Sequence, residues 1–394
     1  MKVARVLSVF CGLFFSVMAA GQTIQHIIIA VQENRTPDNL FGAAGIAGID
    51  AACPPHSIGV PMSGGANPGH KYSDFKNNAK GQYGPGSYDC VTSGAEPYWQ
   101  LAAQYGFANR MFQTNRSDSY PAHQFLVSAT SVTADTSDTY VTDRALGSMG
   151  CAEPSLAPTI TDHGVVGSTP ACFQRSSILN LLDEAQISWK FYCISDNLMW
   201  CAPFSLQQYY QSKNIINPPP KILTDIANGR LANVSWVIPA DTYSDHPTYN
   251  STGGPAWIAS IVNAVGNSPY WKNTAIIVTW DDWGGYYDHV PPLNNDTGWC
   301  VELCYGFRVP LLVISAYTPA YIDNEPHDFS SIMHFVETNF GLSNIGPGGW
   351  GDYYADDLSA FFNFSTPTPR EFSPVSSRKM TRREIAGHGA PDDD

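Results

Sequence analysis

The sequence is poor in charged residues, and positive charge is the scarcer kind. Asp, Glu, Lys and Arg make up 14% of the 394 residues, against about 25% in a typical soluble domain. There are 21 Lys and Arg against 35 Asp and Glu, a formal net charge of −14. Sequence-independent binding to nucleic acid or to anionic lipid surfaces needs clustered positive charge, so we expect neither kind of binding. A small anionic substrate stays compatible, because a bound cation or a few His and Arg can reverse the local field.

Long apolar runs, Cys-x-x-Cys motifs and internal repeats are also missing. Beyond the N-terminal segment, no stretch offers about 20 uninterrupted apolar residues, so stable membrane insertion is not expected. The sequence has nine Cys, but without a Cys-x-x-Cys motif a thiolate zinc site is the weaker interpretation. The 33 Gly and 29 Pro are spread along the chain, which argues against a collagen-like or disordered protein.

Residues 1–21 have the pattern of a secretory signal peptide. Lys2 and Arg5 precede the apolar stretch 6–17, and small residues follow at 19–21. We therefore predict cleavage and a secreted or periplasmic protein; a retained anchor is the alternative. Cleavage would leave 19 basic against 35 acidic residues, a net charge near −16.

Loss of Cys11 with the signal peptide would leave an even number of cysteines, which indicates disulfides in an exported chain. Sequence does not fix their connectivity, and we predict sequential pairs that each close a local loop. The eight cysteines are Cys53, Cys90, Cys151, Cys172, Cys193, Cys201, Cys300 and Cys304.

Short, continuously apolar runs alternate with segments of helical periodicity. The predicted strands are Ile24–Gln32, Val234–Ala240, Thr274–Trp280 and Val309–Ser315. The clearest predicted helices are Pro97–Tyr105, Ser177–Ala185, Ala256–Val265 and Ser330–Phe340. Continuous apolar runs are typical of strands covered on both faces. The alternation predicts an α/β fold with a mostly parallel central sheet flanked by helices.

One domain accounts for most of the chain. We predict a catalytic domain over residues 22–365 and a polar C-terminal tail over 366–394. The Gly-, Pro- and Cys-rich stretches 53–90 and 141–172 are predicted to be long disulfide-pinned loops rather than separate domains.

Oxygen-rich side chains follow three of the predicted strands. Glu33-Asn34 come after the first, Asp245-His246 after the second and Asp281-Asp282 after the third. Ligands of open α/β sheets bind beyond the carboxyl ends of strands, and adjacent carboxylates repel unless a cation or protons offset them. Each segment alone has a simpler interpretation as a turn or helix cap. Taken together, the three predict a site for a hard cation bound by carboxylate and amide oxygens.

Ser119 is the candidate nucleophile. It lies before Pro121 in a predicted turn, and residues 124–128 are predicted to begin a helix. A Ser beside a cation at a helix N-terminus is more easily deprotonated and can receive an anionic group. The alternative is that Ser119 only caps the helix.

Five segments carry a resemblance to a known family. They are VQENRTPDNLFG (31–42), SDSYPAHQFLVSA (117–129), VSWVIPADTYSDHP (234–247), TAIIVTWDDWGGYYDHVPP (274–292) and FRVPLLVIS (307–315). The sequence resembles the bacterial phosphoesterase family of phospholipases C and acid phosphatases, within the alkaline-phosphatase-like superfamily. The resemblance extends over residues 25–365 and implies an alkaline-phosphatase-like core and a metal-dependent hydrolase of phosphoric esters.

The resemblance also implies roles for individual residues. One divalent ion, with Mg, Mn, Ca, Zn or Fe all compatible, would be bound by Glu33, Asn34, Ser119, Asp281 and Asp282. Ser119 would be the nucleophile and form a phosphoseryl intermediate. His246 and His70, with Asn34, would bind the substrate phosphate, and His123 and His289 are further catalytic candidates in matching motifs.

The sequence departs from the family pattern in two places. Thr36-Pro37 and Asn39 stand where relatives usually have Ser-Phe and His, beside the predicted metal ligands. Pro247 stands where some acid phosphatases have a second His. We expect these changes to affect the choice among phosphoester and phospholipid head-group substrates.

Two other functions are compatible with parts of the sequence. Ser119-x-Pro121-x-His123 is similar to the sulfatase modification motif, but His replaces its Arg. A non-catalytic exported binding protein with a metal-stabilised fold is the second alternative. His327, ahead of a predicted helix, could line the site or serve a turn.

Overall fold

The computed structural model describes residues 23–78, 88–143, 150–194, 200–247, 252–293, 305–346, 350–365 and 369–386. The predicted signal peptide and the pair Cys300 and Cys304 lie outside these residues.

Fifteen strands occur in the described residues. They are β1 His26–Gln32, β2 Ile58–Pro61, β3 Asp89–Ser93, β4 Gly106–Ala108, β5 Met111–Phe112, β6 Thr139–Val141, β7 Leu156–Thr161, β8 Val166–Pro170, β9 Trp189–Tyr192, β10 Ile215–Ile216, β11 Val234–Val237, β12 Thr274–Trp280, β13 Leu311–Ser315, β14 Tyr321–Asp323 and β15 His327–Asp328.

Ten α-helices connect and flank them. They are α1 Pro37–Phe41, α2 Tyr72–Asn78, α3 Glu96–Gln104, α4 Ser119–Ser128, α5 Ile178–Glu184, α6 Lys221–Ala227, α7 Gly253–Gly266, α8 Phe329–Phe340, α9 Gly351–Tyr354 and α10 Arg382–Ala386.

The central sheet has eight strands in the order β10-β9-β11-β1-β12-β13-β4-β14. Five of its seven neighbouring pairs are parallel, and β13 runs antiparallel to both β12 and β4. The predicted mostly parallel α/β sheet is confirmed. What the sequence did not indicate is the reversed direction of β13, because a continuous apolar run has the same composition in either direction.

Both faces of the sheet are covered. Every residue of β12 is buried, as are all residues of β1 after His26, and neighbouring residues of a strand point to opposite faces. Helix α7 contacts α3, α6 and β12, whereas α4 contacts α5 and α8. The indole N–H of Trp236 in β11 donates to the Leu126 carbonyl of α4 at 2.9 Å. This bond ties the helix that carries Ser119 to the middle of the sheet.

The predicted elements agree with the observed ones within a few residues. Thr274–Trp280 matches β12 at both ends, whereas the run predicted to end at Ala240 stops as a strand at Val237. The helix near Ser119 begins at Ser119 itself, five residues earlier than predicted. Pro121 lies in its first turn, where a missing backbone N–H breaks no intrahelical hydrogen bond.

The disulfides follow the predicted sequential pattern wherever both partners are described. Cys53 bonds to Cys90, Cys151 to Cys172 and Cys193 to Cys201. The two stretches predicted to be loops also contain small sheets, parallel β2–β3 and antiparallel β6–β7–β8.

Part of the predicted C-terminal tail lies against the domain. The Trp271 indole donates to the Arg370 carbonyl at 2.7 Å, and Val375 N–H donates to Asn263 Oδ1 at 2.9 Å. Val375 is buried and the Phe372 ring contacts Trp271. Within the described ranges, no helix combines the length and apolarity needed to cross a membrane.

Candidate active site

Two parallel strands end side by side and deliver acidic residues to one edge of the sheet. Gln32 of β1 is opposite Trp280 of β12, so Glu33 and Asp281 leave the two strands together. The Asp281 N–H donates to the Gln32 carbonyl at 2.9 Å. The register of two continuous apolar strands therefore brings these carboxylates to one place.

The turns after β1 and β12 are bonded to each other. Asp281 Oδ1 accepts the backbone N–H groups of Asn34, at 3.0 Å, and Asp282, at 2.8 Å. The Arg35 N–H donates to the Asp282 carbonyl at 3.1 Å. These bonds fix the two acidic segments relative to each other.

Gly284 allows the close approach of these turns. It adopts a left-handed φ of 60°, and a Cβ on it would lie 2.5 Å from the Asn34 carbonyl oxygen. Asn34 itself has φ 60°, a conformation that Asn tolerates better than most residues. The backbone geometry of these two turns thus favours Gly at 284 and Asn at 34.

Glu33, His123 and Asp281 form a buried group that we call the metal cluster. Their ligand atoms all lie within 4.8 Å of one another. His123 Nε2 is 3.4 Å from Glu33 Oε1 and 3.6 Å from Asp281 Oδ2. These distances exceed those of ordinary hydrogen bonds. They are close to the spacing of about 3.0–3.4 Å between atoms that bind one ion at about 2.1 Å.

Asn34 supplies an independent indication that the residues fit a cation. Its Nδ2 donates to His70 Nε2 at 3.1 Å, and His70 Nδ1 is 2.9 Å from the Pro68 carbonyl, to which it donates. Because this tautomer of His70 accepts at Nε2, the Asn34 amide faces it with Nδ2. The other amide atom, Oδ1, is buried without a hydrogen-bond partner among the described residues. A buried amide oxygen without a donor is costly, and a divalent ion would satisfy it.

Ser119 is the first residue of α4 and faces the acidic segments. Its hydroxyl donates to Asp282 Oδ2 at 3.0 Å. The N-cap of α4 is Asp118, whose carboxylate accepts the Tyr120 N–H, so the alternative that Ser119 only caps the helix is wrong. Ser119, Asp282 and all other residues of α4 are buried. The helix N-terminus and the candidate nucleophile therefore meet the acidic sheet edge.

His246 lies on a loop that the last residue of β1 and a residue shortly after it hold in place. Gln32 Oε1 accepts the Asp245 N–H at 3.0 Å, and Arg35 donates to the Asp245 carbonyl at 2.7 Å. The Asp245 carboxylate accepts the Tyr98 hydroxyl at 2.7 Å. Burial raises the pKa of Asp245 to about 6, although the Arg35 charge and the hydrogen bonds to Tyr98 and Trp280 lower it. The His246 ring lies 6.3 Å from the His70 ring.

His289 belongs to a second group, which we call the arginine cluster, formed by Asp38, Asp288, His289 and Arg308. His289 Nδ1 is 2.9 Å from the Asp38 carboxylate, and its Nε2 is 3.1 Å from Asp50. Arg308 donates to both oxygens of Asp288, at 2.8 and 3.1 Å. The contacts of His289 are thus with this cluster and Asp50 rather than with the metal cluster.

Arginine-cluster pKa values reflect burial and charge together. Burial raises the pKa of Asp288 to about 6 against the opposing charge of Arg308. Burial is the largest single influence on His289 and lowers its pKa, but the hydrogen bond to Asp38 and the negative charges of Asp38 and Asp288 together outweigh it, so the net shift is upward.

His327 lies in β15, and Asp328 rather than His327 caps α8. His327 Nδ1 is 3.1 Å from Asp356 Oδ1 and its Nε2 is 3.7 Å from Asp323 Oδ1, so its ion-pair contacts are with these two carboxylates.

The residues that replace the usual family pattern near Glu33 have structural contacts. Thr36 caps α1 and its hydroxyl donates to the Tyr287 carbonyl at 2.8 Å. Asn39 accepts from Arg35 at 3.1 Å and donates to the Asp89 carbonyl at 2.8 Å. These residues therefore brace the turn that carries the candidate metal ligands Glu33 and Asn34.

Sequence reasoning did not identify Trp200, whose ring stacks near two of the candidate histidines. Its centroid is 5.9 Å from that of His123 and 6.2 Å from that of His246. Nothing in the local sequence other than the neighbouring Cys201 marks this residue.

Comparison with known proteins identifies similar sequences. The profile of the Phosphoesterase family matches residues 67–343, a range that includes Ser119, His246 and Asp281-Asp282 and begins after Glu33-Asn34. Phospholipase C B of Mycobacterium tuberculosis is 25% identical, over 87% of this chain and 78% of the relative. The non-hemolytic phospholipase C of Pseudomonas aeruginosa is also 25% identical, over 89% of this chain and 58% of the relative.

Similar solved structures include a protein of the alkaline phosphatase superfamily from Vibrio parahaemolyticus. It has a TM-score of 0.44 and 11% sequence identity, and the alignment covers 85% of this chain and 70% of that one.

Proposed function

Because the chain belongs to the phosphoesterase family, we propose that it hydrolyses phosphoric esters with a divalent metal ion and Ser119 as nucleophile. The observation that carries the proposal is the hydrogen bond of 3.0 Å from the Ser119 hydroxyl to Asp282, beside a buried carboxylate–histidine cluster. A Ser that only packs in the core or ends a helix does not require carboxylates beside it. Metal-assisted phosphoryl transfer requires both the Ser and the carboxylates.

The ion would be held by Glu33, Asn34, Asp281, Asp282 and Ser119, and we add His123 to this set. Support for His123 comes from its 3.4 and 3.6 Å distances to two of the carboxylates. Such an ion supplies Lewis-acid polarisation of a phosphoryl oxygen and makes a bound hydroxyl easier to deprotonate. One nitrogen with several oxygens is compatible with Mn, Zn and Fe, and less typical of Mg or Ca.

The protein's own groups then divide the work of transfer. Ser119 gives its proton to Asp282 Oδ2, the acceptor of its hydrogen bond, as Ser119 Oγ forms the bond to phosphorus. The bond to the leaving oxygen breaks, and that oxygen takes up a proton from a second group. The product is a phosphoseryl group, which water hydrolyses in the second half of the reaction. Both half-reactions need a proton donor or acceptor at the leaving or attacking oxygen.

His246 is the better candidate for that proton transfer. Both ring nitrogens of His70 are in use, one with the Pro68 carbonyl and one with Asn34. His70 thereby acts on Asn34, and we propose that it orients the amide oxygen toward the ion. His246 has its backbone fixed by Ser244, at 3.1 Å, in a loop held by Gln32 and Arg35.

We propose phosphodiesters of lipid head groups as the preferred substrate class, with phosphomonoesters as the alternative. The support is that the relatives named above are phospholipases C. Export to the periplasm or medium is proposed from the predicted signal peptide and is supported by the three disulfides.

A hydrolysis panel tests this function. The protein would be stripped of metal and assayed on phosphatidylcholine, p-nitrophenyl phosphate and p-nitrophenylphosphorylcholine, alone and with Mg, Mn, Ca, Zn or Fe(II). We expect metal-dependent turnover of at least one ester, and faster turnover of the diesters. No metal-dependent hydrolysis of any ester would contradict the proposal and favour a binding protein.

The nucleophile has its own test. Ser119→Ala should lower turnover by about 10⁴-fold or more, with the wild-type far-UV spectrum and melting temperature near unchanged. An intact mass that shows unmodified Ser119 in the active protein would exclude the sulfatase alternative. Near-normal turnover of the Ala variant would overturn the assignment.

A further inference from the structure

The Trp200 ring lies beside two candidate histidines of the site that come from different segments of the chain. Its indole is nearly parallel to the His123 ring, at 14°, and to the His246 ring, at 27°. His123 belongs to the metal cluster, whereas His246 is on the loop after β11. All three side chains are almost fully buried, at 1–2% exposure. Aromatic pairs at such centroid distances attract each other and restrict each other's orientation.

Trp200 is itself anchored on two sides. The next residue, Cys201, is bonded to Cys193, which follows β9 and donates its N–H to the Ile216 carbonyl at 3.1 Å. The short 3-10 helix Ala202–Ser205 comes directly after. From it, Ser205 Oγ bonds the hydroxyl of Tyr120 at 2.8 Å, the neighbour of Ser119. The segment that carries Trp200 is therefore tied both to the residue after β9 and to α4.

The burial of Trp200 needs an explanation beyond packing. Its indole N–H is buried and has no hydrogen-bond partner among the described residues, which is unfavourable for a core Trp. The position of Trp200 is better explained by the flat ring that it presents to the two candidate histidines, His123 and His246.

We propose that Trp200 is a positioning residue, which fixes the His246 imidazole relative to His123 and hence relative to the metal cluster. This inference rests on the proposed function, since it concerns the histidine assigned to the substrate phosphate. The Trp200 indole also stacks on His123 and is carried by a segment anchored at two points, so its nearly parallel contact with His246 holds that ring in one orientation. Without the indole plane, His246 keeps its backbone position but its ring samples other rotamers, so binding of a phosphoryl group weakens.

The test compares variants of the full chain loaded with metal. Trp200→Met fills the site without a flat ring, and Trp200→Phe keeps a flat ring but lacks the indole N–H. Calorimetry would measure the Kd for inorganic phosphate. We expect the Kd to rise about tenfold for the Met variant and less than about threefold for the Phe variant. Metal stoichiometry should stay as in wild type, because separate hydrogen bonds hold the acidic turns.

A double-mutant cycle separates positioning from general damage. In a His246→Asn background, Trp200→Met should change the phosphate Kd by less than about twofold, because the ring that it positions is gone. If Trp200→Met does not fold, as judged by its urea transition, Trp200→Leu takes its place in the cycle.

Three results would overturn the inference. One is an unchanged Kd in the Met variant, the second is an equal loss in the Phe and Met variants, and the third is a full Met effect in the His246→Asn background. The hydrolysis panel distinguishes this from failure of the proposed function. Active wild type with an unaffected Met variant overturns the inference alone, whereas wild type that hydrolyses no ester overturns both.

Discussion

The metal cluster and the arginine cluster share a core of two carboxylates and one imidazole, but the groups around that core differ in charge. Each groups two carboxylates and one imidazole with ligand atoms within 4.8 Å. In the arginine cluster a fully buried guanidinium, Arg308, donates to both oxygens of Asp288 and lies 3.6 Å from Asp38. In the metal cluster the carboxylates of Glu33 and Asp281 converge on one nitrogen of His123.

This difference shows that the residue types in a cluster do not by themselves identify a metal site. What matters is whether a positive side chain already compensates the carboxylates. A guanidinium that already satisfies the carboxylates leaves no position for an ion, and His289 is 38% exposed, so water also screens the arginine cluster. The metal cluster is enclosed and has an orphan amide oxygen beside it. Only the latter arrangement is improved by a divalent cation.

A third buried acidic pair, Glu337 and Asp352, uses another solution. Burial raises the pKa of Glu337 to about 9, helped by the charge of Asp352 and a hydrogen bond to it. Within the described chain no Lys or Arg forms an ion pair with either residue. We therefore propose that a proton shared between Glu337 and Asp352 offsets the repulsion between these two carboxylates.

The largest expected effect is the loss of function on breaking the metal cluster. Asp281→Asn should lower metal-dependent turnover by at least about 10³-fold and reduce bound metal, measured by plasma mass spectrometry. The matched control is Asp288→Asn, which should keep the metal stoichiometry of wild type. Equal loss of metal in both variants would show that the two clusters are not distinct in function.

Breaking the arginine cluster should instead cost stability. Arg308→Met leaves buried carboxylates without their cation, and we expect the free energy of unfolding in urea to fall by about 3–5 kcal/mol. Adding Asp288→Asn to this variant should recover part of the loss, because one uncompensated charge is removed. A single variant as stable as wild type would contradict the role assigned to the guanidinium.

Chelation should separate the clusters without mutation. Removal of the ion is expected to lower the melting temperature, since a ligand at about 1,000 times its Kd stabilises by about 4 kcal/mol. The metal-dependent shift should vanish in Asp281→Asn and persist in Asp288→Asn, as measured by calorimetry. A shift that persists in Asp281→Asn would place the ion elsewhere.

The smallest effect concerns the proton-sharing pair. Glu337 keeps its proton in the folded state up to about pH 9, whereas the unfolded side chain loses it near pH 4.5. Unfolding thus releases a proton between these values, and stability falls as pH rises through this window. Glu337→Gln should remove this slope and raise the free energy of unfolding at pH 7 by about 1–3 kcal/mol. An unchanged slope in urea titrations from pH 5 to 8 would refute the shared proton.

Much of the fold and the candidate site could be predicted from the sequence. Runs such as Thr274–Trp280 are strands because their apolar side chains alternate onto two covered faces. Residues directly after such runs must lie at the sheet edge, and this placed Glu33 and Asp281 correctly at neighbouring strand ends. Sequential disulfide pairing was also correct for three bonds, since short loops close at the lowest entropic cost.

Other features could not be predicted from the sequence. The direction of β13 and the start of α4 at Ser119 depend on packing rather than on periodicity. No pattern in the sequence around Trp200 predicts its role, because the two rings that it contacts, those of His123 and His246, belong to other segments of the chain.

The sequence by itself determined which residues stand at the strand ends and that oxygen-rich, acidic chemistry collects there. It also determined low positive charge overall, so that any anionic substrate must depend on a local cation. Only the tertiary structure decided which counter-charge each buried carboxylate meets. Arg308 comes to Asp38, and His123 comes to Glu33, from distant parts of the chain. Electrostatic compensation depends on distance in space, and spacing along the sequence does not encode it.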